Sequence, residues 1–155
     1  MNTTILFEVY LATVSLSSET VYIKIIDTLA YNCYEYQLTR DDPDIIYGLY
    51  DDISSLQLFY IIENSFNKEP GYMLSIKINN NIMNLFFNGY GGGRFYTINK
   101  NIQKISYPIV YMSQEITKYH MDDLRKIVSG LSKITSDIHT PCLGVYYEPK
   151  KIKIE

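Results

Sequence analysis

The five residues Gly89-Tyr90-Gly91-Gly92-Gly93 are where this 155-residue chain most resembles a phosphate site. A phosphate loop follows a strand and opens a helix, so that backbone N–H groups and the positive helix end face the anion. Here Arg94 stands where the last glycine of G-x-G-x-x-G belongs, and no Gly-Lys-Ser/Thr follows. The next residues, RFYTI, are aromatic and β-branched, as in a strand. The run is therefore read as a hairpin turn. Asp41, Asp42 and Asp44, with Asp51 and Asp52 nearby, raise the question of a cation site. A calcium loop needs alternating oxygen ligands, a glycine at its sixth position and a glutamate at its twelfth, and this stretch has no such order. Asp51 is better placed as a helix N-cap, with Asp52 at the positive helix end. His120 lies close to Asp122 and Asp123, but a general base also needs a nucleophile and an orienting partner, and neither is identifiable. Cys33 and Cys142 form no C-x-x-C pair, and with two separated histidines they make no zinc set. Reduced thiols are expected. No catalytic residue, cofactor or metal ligand is assigned.

The elements that would have to position any site read as α+β. Residues 4–16 alternate in part (Ile5, Phe7, Val9, Leu11) and suggest a first strand. VYIKII at 21–26 and YNCYEYQL at 31–38 make an N-terminal hairpin around 27–30. A helix over 52–66 carries Ile53, Leu56 and Tyr60 on one stripe, which Leu58, Ile61, Ile62 and Phe66 widen into a face to press on a sheet. Asn67-Lys68-Glu69-Pro70-Gly71 ends it.

The stretch 72–102 then reads as a three-strand antiparallel meander. Tyr72, Leu74, Ile76 and Ile78 alternate with polar neighbours, and Asn79-Asn80-Asn81 turns the chain. Residues 82–87 are apolar on both faces, as a strand covered on both sides is. Pro108 confines 105–112 to an edge strand or a connector. Ser113 caps a helix over 114–138, in which Leu124, Ile127, Leu131, Ile134 and Ile138 fall at heptad a/d steps, with His120 one place earlier. That helix either docks on its own sheet or joins subunits as a short coiled coil. The division expected is a head at 1–112, an amphipathic or coiled-coil helix at 113–139 and a C-terminal arm or strand at 140–155.

Composition limits the function classes. A 46% hydrophobic content supports a folded core, and 14 basic against 17 acidic residues give −3, so no global field favours nucleic acid. The N-terminus lacks a positive region and carries Glu8, unlike a signal peptide, and no segment has the roughly 18 apolar residues needed to span a bilayer. A cytoplasmic or virion-associated location is expected.

The chain is rich in Ile, Asn, Lys and Tyr, with sixteen Tyr and no Trp. From LQLFYIIENSFNKEPGY through SIKINNNIMNLFFNGYGGGRF to the helix ending at Ile138, it resembles small α+β and coiled-coil proteins encoded by giant DNA viruses of amoebae. It also resembles the head domains of coiled-coil assembly scaffolds in DNA repair and centriole building. Both resemblances imply a non-enzymatic, oligomerising role, in the first case in or around a virion. The expected function is a structural or interaction protein that self-associates, with His120, Leu124, Ile127, Leu131, Ile134 and Ile138 as its interface. The alternative is a monomeric module that binds or inhibits a host protein. An enzyme stands third.

Overall fold

The computed structural model describes residues 1–43, 45–47, 53–91 and 94–139. It divides at Ile116/Thr117 into two compact units. Among the described residues the first holds eight strands, β1 (Asn2–Phe7), β2 (Tyr10–Ser17), β3 (Thr20–Asp27), β4 (Asn32–Thr39), β5 (Ile45–Tyr47), β6 (Tyr72–Asn79), β7 (Ile82–Gly91) and β8 (Arg94–Ile105). The helix α1 (Ser55–Phe66) precedes β6, and α2 (Ile109–His139) begins in the first unit and continues as the helix of the second.

The sheet is antiparallel in the order β1-β2-β3-β4-β8-β7-β6, with β5 also paired to β8. It is larger than a hairpin plus a meander. The expected first strand is in fact a hairpin, because the chain reverses at Glu8-Val9, where Glu8 takes a left-handed φ of 56°. A second two-residue reversal at Ser18 leads into β3. Alternation that looks continuous in sequence therefore changes phase: Ile5 and Phe7 join the core before the turn, and Ala12 and Val14 after it. Between β3 and β4, Asp27 Oδ1 accepts the N–H groups of Leu29 and Ala30 at 3.0 and 3.1 Å, a side chain standing in for a backbone turn. The two meanders join where Cys33 and Tyr34 of β4 pair with Ile105 and Lys104 of β8.

The β6–β8 meander follows the expected order. Asn80 and Asn81 both have positive φ (53° and 65°), the geometry of the tight hairpin turn that asparagine tolerates. The glycines fall differently, since Gly89 and Gly91 belong to β7 and the pairing continues to Gly91↔Arg94. Gly89 has a packing reason, because a Cβ there would lie 2.8 Å from the Gly71 carbonyl oxygen. Strand β7 is covered on one face: Met83, Leu85 and Phe87 are buried, whereas Asn84 on the other face donates to Asn99 and Asn101 side chains at 2.7 and 3.0 Å.

Helix α1 packs across β1, β2, β3, β6 and β7. Its cap is Ser54, which accepts from Gln57 N at 3.1 Å while Gln57 Oε1 accepts from Ser54 N at 2.9 Å, a reciprocal capping box. Asp44, Asp51 and Asp52 lie outside the described residues, and the helix starts three residues later than expected. Leu58, Phe59, Ile62 and Phe66 face the core, while Leu56 and Tyr60 of the expected stripe are exposed. The exit is a Schellman turn: Lys68, at φ 57°, donates to Ser65 O, and Glu69 donates to Asn64 O. Phe66 meets Phe7 and Phe87 edge-on at centroid distances of 6.0 and 5.7 Å, which ties α1 to both meanders.

Residues 109–112, expected as an edge strand or connector, open α2 instead. The Pro108 carbonyl accepts the N–H groups of Tyr111 and Met112 at 3.1 and 3.2 Å. Proline breaks a ladder, but just before a helix its missing N–H costs nothing, because only its carbonyl is needed to accept the first helical bond. Ser113 is then inside the helix and is not its cap.

Candidate interaction surface

The face of the N-terminal meander turned away from α1 has its own small apolar row. Strand register places Leu11 opposite Ile26, Ile26 opposite Cys33 and Cys33 opposite Ile105. Leu11, Ile26 and Cys33 are buried, and so is Met112 from the first turn of α2. Met112, Cys33, Ile105 and Tyr107 line one shared cleft, so the root of α2 sits on this row.

A polar clasp fixes the same root. Lys24, the cation that interrupts VYIKII, lies 2.6 Å from Glu115 Oε1. Tyr107 donates its hydroxyl proton to Glu115 Oε2, and its ring lies under the Lys24 ammonium at 5.1 Å. Burial pulls the Lys24 pKa down, but the hydrogen bond and charge of Glu115 outweigh it and the net shift is upward. Tyr107 is also raised, first by its hydrogen bond to Glu115. Neither Met112 nor Glu115 was assigned a role from sequence. The signal for both was Lys24, a charge inside a strongly β-forming run that needed a partner.

A second clasp closes the loop after β4. Tyr36 donates to Asp42 Oδ2, Lys100 Nζ approaches that carboxylate to 3.3 Å, and the same ammonium lies 4.7 Å from the Tyr36 ring centre. Burial, and then the hydrogen bond to Asp42, push the Tyr36 phenol well above its ordinary range. Asp42 thus serves a loop clasp. Among the described residues no three His, Cys, Asp or Glu side chains come together. Cys33 is raised from 9.0 to about 11, chiefly by burial and then by the Glu35 charge, which makes it a poor nucleophile. Cys142 and the expected arm at 140–155 lie outside the described residues.

In the second unit, α2 carries the interface residues named from sequence. Leu124, Ile127, Leu131 and Ile134 are 56%, 53%, 58% and 56% exposed. His120 is exposed and meets the Tyr119 ring edge-on at 5.6 Å. Asp122 accepts from Arg125 at 3.0 Å and lies 3.6 Å from Lys118, so it pairs along its own helix and takes no part with His120 in the contacts seen. The side chain of Ile138 is outside the described set. No helix among the described residues is long and apolar enough to cross a membrane.

No protein-family model matches this chain, and neither does any curated protein. Solved structures do. The crystal structure of the head domain of human CCDC61 superposes with a TM-score of 0.52 at 9% identity, over 68% of this chain and 99% of that one. An N-terminal fragment of Leishmania SAS-6 containing parts of its coiled coil domain gives a TM-score of 0.48 at 14% identity, over 89% of this chain and 91% of that one. The likeness to the CCDC61 head domain is one of fold.

Proposed function

We propose that this chain is a non-enzymatic assembly protein: a β-rich head that carries a helix by which copies of the chain join. The observation that carries the reading is the row Leu124, Ile127, Leu131 and Ile134, four aliphatic side chains three or four residues apart, each more than half exposed. Such spacing gathers side chains on one helix face as a heptad seam. Exposed contiguous apolar surface of this kind marks an interaction site. One structural neighbour is described as a head domain, and we read Met1–Ile116 in the same way, with Met112 and the Lys24–Glu115 clasp holding the first turns of α2. The resemblance to giant-virus proteins adds the proposal that the assembly is virus-encoded.

The test is the pair Leu124→Glu and Leu131→Glu. Both side chains are exposed, so the variant keeps the head's thermal transition while its solution mass falls to that of one chain. An unchanged oligomeric state in a folded variant refutes the reading.

A groove of about 490 Å³ on the outer face of β2–β4, lined by Thr13, Tyr22, Lys24, Glu35 and Gln37 among others, favours the second reading, a module that binds a different protein. That reading predicts a monomer, with binding lost on Tyr22→Ala and kept in the double Glu variant.

A further inference from the structure

We infer that the α2 seam joins four chains. This rests on the self-association reading and deepens it. In the heptad frame the a positions are Leu124, Leu131 and Ile138, and the d positions are His120, Ile127 and Ile134. Two-stranded parallel coils favour the opposite arrangement, β-branched residues at a and Leu at d. At d in a pair, the Cα–Cβ bond points straight into the facing hole, and a β-branched side chain fits poorly in its preferred rotamer. Leu at a with Ile at d turns that preference toward higher-order bundles.

The flanks give an independent argument from charge. In a two-stranded parallel coil, g of one helix faces the next e of its partner, and those positions normally carry opposite charges. Here Asp123 faces Val128 and Gly130 faces Thr135, so no complementary pair forms. The basic residues lie on the outer side, where Lys118 and Arg125 are already paired with Asp122 of the same helix. The e positions Met121 and Val128 are instead apolar and about half exposed. They extend the apolar arc beyond the a/d row. A two-stranded seam buries chiefly that row and covers both side chains only in part. A four-stranded bundle brings the flanks into contact between neighbours and covers them.

Sedimentation equilibrium of the full chain tests this. The expected mass is four times the chain's 18.1 kDa. A species of two or three chains overturns the four-stranded inference and leaves self-association standing, whereas a monomer overturns both. The second measurement exchanges the layers, Leu124→Ile, Ile127→Leu, Leu131→Ile and Ile134→Leu, four exposed positions whose composition and hydropathy stay constant. The expected result is a twofold fall in mass. An unchanged mass in the exchanged variant overturns the claim that these side chains set the number of chains.

Discussion

Helices α1 and α2 carry apolar residues at the same three-and-four spacing, yet they meet opposite fates. In α1, Leu58, Phe59, Ile62 and Phe66 are buried against the sheet. In the second unit α2 leaves Leu124, Ile127, Leu131 and Ile134 more than half exposed. The difference lies in what each helix is given to cover. Helix α1 is held by its capping box and Schellman turn between two meanders that converge on Phe66. The first turns of helix α2 are held by buried Met112 and by Glu115. Periodicity states that a helix has an apolar face. It does not say whose surface covers that face.

The largest effect that sharpens the contrast is expected at Phe66. Phe66→Ala removes a buried ring in contact with Phe7 and Phe87 and should cost about 3–5 kcal/mol in urea unfolding. Leu131→Ala, at an exposed position, should leave head unfolding within about 0.5 kcal/mol. A comparable loss at both sites would erase the distinction between the helices.

Alkaline pH probes the small core under the α2 root. Burial raises the Cys33 thiol from 9.0 to about 11, so the folded state favours the protonated form. That contribution is fully present below pH 9 and is lost as pH rises through about 11, a change on the order of 2–3 kcal/mol. Stability followed by urea midpoint from pH 8 to 11 should fall, and Cys33→Ala should flatten the fall whatever it costs at pH 8. A slope unchanged by Cys33→Ala would place the thiol outside the linkage. Tyr36, raised by burial and by Asp42, acts with the same sign at higher pH.

Smaller effects come from the helix ends and from Gly130. Ser54→Ala should cost about 1 kcal/mol through the lost capping box, whereas Ser113→Ala, inside a helix that begins at Ile109, should cost close to nothing. Gly130→Ala should stabilise α2 by roughly 0.8–1 kcal/mol and raise helical circular dichroism, since no neighbouring atom lies within 4 Å of the added Cβ.

Much of the fold was legible in local chemistry. The Asn turn, the β6–β8 order, the burial of Leu58, Ile61, Ile62 and Phe66 on α1 and the helix over residues 114–138 followed from alternation, turn residues and helical spacing, whereas Leu56 and Tyr60 of the expected stripe are exposed. What escaped depended on two-residue reversals and on distant partners. Glu8 and Ser18 hold left-handed turns without glycine, so the first hairpin looked like one strand. Pro108 was read as a ladder breaker when it starts a helix. The cap of α1 is Ser54, three residues into the expected helix, because Gln57 stands where a capping box with Ser54 needs it. Lys24 and Glu115 stand far apart in sequence, and only the fold shows that they clasp.

The central claim is that the exposed face of α2 is covered by other copies of this chain. Light scattering on the 155-residue chain over a tenfold concentration range tests it directly. The account predicts a mass of several chains, stable across the range and lost in the Leu124→Glu, Leu131→Glu variant. A constant mass of 18.1 kDa would contradict it.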